Sequence, residues 1–118
     1  MLHLVARLYL TRAGEGAKAL LARVEGMLGD ELDLVEAELG RGAYLAGSEF
    51  SAADVQMGFP LEFAAFAGLV AERHAKLRDY LARMQARPAY RRAIEKGGAY
   101  AFDPASANRA APFPRPAR

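Results

Sequence analysis

Cysteine does not occur in this 118-residue chain. Its absence removes disulfides, thiolate nucleophiles and cysteine-based metal sites together, and it fits a reducing compartment, with the cytoplasm as the expected location. Histidine is scarce. His3 and His74 are the two present, and neither belongs to an HxxxH or HExxH spacing, so no metal site is expected. No apolar run is long enough to span a bilayer, and the first residues lack the charged start and cleavage site of a signal peptide. No alternating segment is credible as a strand, and no internal repeat is visible. The stretch "AGEGAK" lacks both the spacing of a phosphate loop and a strand before it.

What is present suffices for one domain. A chain of this length buries roughly 65% of the surface that it exposes when unfolded, enough for a single core without staples. Formal net charge is +2. All of it resides in residues 98–118, where Arg109, Arg115 and Arg118 stand against Asp103, so the body is neutral. Within the body the signs separate. Glu25, Asp30, Glu31, Asp33, Glu36 and Glu38 run without a base among them, whereas Arg73, Lys76, Arg78, Arg83, Arg87, Arg91, Arg92 and Lys96 are relieved only by Asp79 and Glu95. Two solvated helix faces, turned toward each other or toward a second subunit, explain this pattern. A nucleic-acid site would want such a basic face, but the body is neutral and no reading motif appears.

Leu2 to Leu10 predicts a short apolar helix with Leu4, Val5 and Leu8 on one face. Residues 17–39 place Leu20, Leu21, Val24, Met27, Leu28, Leu32, Val35 and Leu39 at steps dominated by three and four, an amphipathic helix of about six turns. Gly26 and Gly29 weaken its middle or permit close approach of another backbone. Gly40 and Gly42 end it. A later stripe of Leu77, Tyr80, Leu81 and Met84 ends before Pro88, which suits the first turn of a last helix whose Tyr90, Ala93 and Ile94 face inward. Residues 98–118 form a Pro/Ala/Arg-rich tail without periodicity, expected to lack fixed structure beyond about Asp103.

Between these lies the strongest local signal, "AGSEFSAADVQMGFP". Ser51 and Asp54 read as a capping box, with the Ser51 hydroxyl accepting from the Asp54 amide and the Asp54 carboxylate reaching back to the Ser51 amide. Phe50 and Val55 occupy the two positions of a hydrophobic staple. Such a cap is worth roughly 1 kcal/mol. The helix it opens is apolar almost all round, which predicts a buried one, and Pro60 should bend it. Gly68 is its expected stop. The architecture is therefore all-α: about five helices around a buried central helix, over residues 1–97. A Ser51, His74, Asp54 triad is rejected, because the cap already employs Ser51 and Asp54.

"YLAGSEFSAADVQMGFPLE" followed by "YLARMQARPAYRRAIEKGG" resembles the C-terminal, all-helical domain of bacterial cytosolic glutathione transferases, over roughly Ala17 to Tyr100. The resemblance implies that the capped segment opens the central helix and that the RPAY segment opens a late one. It also implies an activity, conjugation of glutathione to small apolar electrophiles. In that family the glutathione site and its thiol-activating residue belong to an N-terminal thioredoxin-like domain, and nothing here corresponds to one. Met1 to Val5 looks like a start partway along the family's first helix. The partner is then a thioredoxin-like domain or a second copy in a homodimer, glutathione is a co-substrate only if that domain is supplied, and no catalytic residue is assigned. By position in the family, Tyr9, Phe59 and Phe63 are the candidates for the wall of the electrophile site, against the plainer reading of core packing. An independent, non-catalytic assembly module is the alternative.

Overall fold

A computed structural model describes residues 2–98 of the protein. Residues 99–118 of the tail lie outside the described residues, Tyr100 among them. Five helices follow in order: α1 (Leu2–Leu10), α2 (Lys18–Glu38), α3 (Ala52–Phe66), α4 (Ala75–Ala86) and α5 (Pro88–Gly97), with one short 3₁₀ turn (Glu15–Ala17) before α2. No strand occurs among the described residues.

Helix α1 packs on α2, and α4 packs on α2, α3 and α5. The core is where these meet: Leu4 of α1, Val24, Leu28 and Leu32 of α2, Leu61 and Ala64 of α3, and Leu77, Tyr80, Leu81 and Met84 of α4. Of the residues that the three- and four-residue steps pick out on α2, Val24, Leu28 and Leu32 are buried there, while Leu20 and Met27 stay exposed. Val5 is also corrected, being exposed on the side of α1 away from Leu4. No backbone approaches Gly26 or Gly29; a side-chain nitrogen of Arg73 lies nearest to the second.

Local chemistry fixes the joints. At the end of α3, Gly68 takes φ 73°, and the Leu69 and Gly68 amides donate to the Ala64 and Ala65 carbonyls at 3.0 and 3.1 Å. This is the paired bonding of a Schellman stop, which needs a residue tolerant of positive φ. Arg87 is extended because Pro88 follows it, so α4 must end there and α5 begins with Pro88 in its first turn. In the loop after α2, a Cβ on Gly42 would stand 2.5 Å from the Gly47 carbonyl oxygen. Helix α3 runs through Pro60 without interruption.

Two expectations change. Helix α3 buries Asp54, Leu61, Glu62 and Ala64, but it is not covered all round: Val55 is 68% exposed and Phe59 44%. Helix α5 buries none of its residues, with Tyr90 and Ile94 half-buried and Ala93 exposed. The physical reason is shared, since α5 packs on α4 and leaves one side of α3 uncovered.

Both halves of the capping box are present at Ser51. The Ser51 hydroxyl also accepts from the Ala53 amide at 3.3 Å, and the Asp54 carboxylate accepts from the Ser51 amide at 2.8 Å. Asp54 does more than cap. It is fully buried and accepts further bonds from the Leu45 amide at 3.1 Å, the Tyr80 hydroxyl at 3.0 Å and the Ser51 hydroxyl at 3.2 Å. Desolvation pushes its carboxyl up, but the Leu45 and Ser51 amides and the two hydroxyls outweigh that and hold it below its ordinary value. Burial and then Asp54 push the Tyr80 hydroxyl up in turn.

Asp54→Ala, which strands two amides and a buried phenol, is expected to cost about 3 kcal/mol in urea unfolding, and Tyr80→Phe about 1 kcal/mol. Because folding lowers the Asp54 pKa, the stability it contributes is fully present above the ordinary value of 3.8 and is lost as pH falls below it. In an acid titration the stability gap between wild type and Asp54→Ala should therefore narrow as pH falls.

Candidate functional site

On α3, Val55, Gly58, Phe59 and Glu62 fall at helical steps of three, one and three, which puts them on one face. Leu81 and Met84 of α4 stand opposite, and Arg87, Ala89 and Tyr90 close the end where α4 turns into α5. Together with Phe50 and Asp54 they enclose a groove of about 360 Å³. At Gly58 an added Cβ would meet the Met84 methyl at 3.8 Å, an ordinary contact.

The entrance is shaped by two arginines laid on aromatic rings. The Arg87 guanidinium carbon stands 3.5 Å from the Phe50 ring centroid, and that of Arg83 stands 5.8 Å from Tyr44. Arg83 also donates to the Ala43 carbonyl, and Tyr44 meets Phe50 edge-on at 5.9 Å. Such contacts pin the loop before α3 to the end of α4. Val55 lines the groove with Phe50, and the ring contacts that hold Phe50 are those of Tyr44 and Arg87.

The groove holds two carboxylates of different character. Asp54 is saturated by its four donors, whereas Glu62, only 6% exposed, accepts one hydrogen bond, from Gln85 at 3.1 Å. In the sequence Glu62 is one of the few polar residues of an otherwise apolar run. Its burial could not be seen there, because Gln85 comes from another helix.

The three electrophile-wall candidates are not gathered in one place. Phe59 lines the groove. Phe63 stacks on it at 6.5 Å and meets Phe66 at 6.2 Å. Tyr9 sits on α1, 69% exposed, apart from the groove's lining.

The separated charges meet across the bundle. Asp33 of α2 accepts from Arg73 and from His74 Nε2, at 2.8 and 2.7 Å. Arg73 first and His74 second hold the Asp33 carboxyl below its usual range. The buried His74 ring accepts the Ala71 amide on Nδ1, which leaves its proton on Nε2. Glu36 accepts from the Lys76 and Leu77 amides at 3.0 and 2.8 Å, capping α4 from a neighbouring helix. Both histidine nitrogens are thus committed to structure. Among the described residues no group of three potential ligands could hold a metal ion, and no helix is long and apolar enough to cross a membrane.

The described residues form a small all-helical domain in which α3 starts at a buried capping box and passes through a proline. The chain belongs to the glutathione S-transferase C-terminal domain family, whose model matches residues 18–83, from the start of α2 into α4. Neither a curated protein nor a solved structure gives a significant match.

Gly58→Ala places an alanine where glycine disfavours the helix, with only ordinary contact to Met84. Thermal unfolding should report a gain of about 0.5–1 kcal/mol. A loss would mean that the groove floor has no room for a methyl group.

Proposed function

We propose that this chain acts in the cytoplasm as the helical half of a glutathione transferase. It supplies an apolar wall for a small electrophile and a docking surface for a thioredoxin-like domain that carries glutathione. The observation behind this reading is the uncovered side of α3. A helix apolar nearly all round leaves Val55 and Phe59 exposed beside a groove, and exposed apolar surface of this kind marks a ligand or partner site. Phe59 and Phe63 form the wall as a stacked pair, and Tyr9 contributes from α1 when the second domain brings a substrate against both.

Conjugation needs a donor that favours the glutathione thiolate. The two hydroxyls at the entrance of α3, Ser51 and Tyr80, are both committed to Asp54. Tyr80 is moreover pushed toward retaining its proton. In this reading the chain by itself does not conjugate. With glutathione and a chromogenic aryl halide, the purified protein should give no turnover above the uncatalysed rate. Turnover abolished by Tyr80→Phe would refute the proposal and move the thiol-activating role onto this chain.

A second reading, assembly through α1, rests on a different observation. Leu2, Val5 and Tyr9 are exposed at steps of three and four, an apolar stripe on the side away from α2. Sedimentation should show a homodimer, and Leu2→Glu should dissociate it while leaving stability within about 0.5 kcal/mol. A monomer at high concentration refutes this reading without touching the first.

A further inference from the structure

We infer that the groove between α3, α4 and α5 takes a small organic cation, an aromatic or alkyl body carrying a protonated amine, with Glu62 as its counter-ion. Glu62 is 6% exposed and its Oε1 accepts from Gln85 Nε2 at 3.1 Å. Its other oxygen has no hydrogen bond, yet no described side-chain oxygen or nitrogen is both sealed from solvent and without a partner. That oxygen must therefore keep some opening, and Glu62 lines the groove. Among the described residues Glu62 makes no ion pair. A carboxylate withdrawn from water and given one neutral partner is held at a cost, which a cation entering the groove would offset.

The walls around this carboxylate suit the rest of such a molecule. Val55, Phe59, Leu81 and Met84 offer apolar surface. A volume of about 360 Å³ falls within the range of small-molecule pockets, about 300–1,000 Å³. The two other charged residues of the lining do not compete for the amine. Asp54 is saturated by four donors, and Arg87 lies flat on Phe50. An anionic ligand would have to approach Arg87 instead, so ligand charge separates the two ends of the groove.

This inference deepens the electrophile-wall reading of Phe59 and rests on it only in taking the groove as a ligand site. No glutathione and no second domain enter its test, so a failed conjugation assay and a failed binding assay remain distinct. The full chain is titrated calorimetrically at neutral pH with 1-naphthylmethylamine, 1-naphthalenemethanol and 1-naphthoate. The amine should bind at least tenfold more tightly than the alcohol or the carboxylate. Glu62→Gln retains the size and the bond from Gln85, and it should bring the amine down to the level of the alcohol while moving the alcohol less than twofold. Phe59→Ala should weaken all three alike. Absence of amine binding, or equal binding of amine and alcohol to the wild type, overturns the proposal and leaves the groove to a basic side chain of a protein partner. An amine preference that survives Glu62→Gln in a variant with an unchanged circular dichroism spectrum overturns it as well.

Discussion

One buried carboxylate holds together three parts of this chain that sequence separates. Asp54 receives the amide of Leu45 from the loop, the amide and hydroxyl of Ser51 from the start of α3, and the hydroxyl of Tyr80 from α4. An ionised carboxylate offers about four acceptor positions, and all are taken. A buried charge so fully satisfied sets the register of the loop and the tilt of α3 against α4 at once, because shifting any one element would leave a polar group unpaired away from water. The groove follows from that placement. Phe50 is brought under Arg87, and Val55, Gly58, Phe59 and Glu62 are turned along α4.

The same economy operates at the other side of α4. Its N-cap residue, His74, contributes no side-chain cap; Glu36 of α2 caps the helix from outside instead. Asp33 meanwhile collects Arg73 and the buried His74, while His3 and Arg7 of α1 meet Glu31 and Glu25. The acidic run of α2 is thus a seam along which both neighbouring helices are positioned. Several of these pairs are exposed, and such pairs add little energy singly. Their role is to choose among packings that hydrophobic burial alone would allow.

The bundle leaves one side of α3 uncovered, with Val55 and Phe59 exposed. Buried Leu61 and Ala64 keep α3 anchored, so its open side is rigid without being filled. On the reading proposed above, that side is the wall met by a ligand or a second domain, with little ordering left to accomplish on binding.

The helices themselves were legible in the residues. Three-and-four spacing located α1, α2 and α4, Pro88 fixed the start of α5, Gly68 the stop of α3, and Ser51 with Asp54 its entrance, since each of these depends on neighbours within a few positions. The family motifs were legible for the same reason. Tertiary structure alone decided which apolar residues stay outside, among them Val5, Met27, Val55 and Phe59, because burial depends on whether another helix arrives on that side. It alone also joined Tyr80 to Asp54, Glu36 to α4 and Gln85 to Glu62, and separated Tyr9 from Phe59. Those pairings span more than twenty positions, and no local periodicity carries information about them: a sequence specifies which face of a helix is apolar, whereas packing determines what meets it.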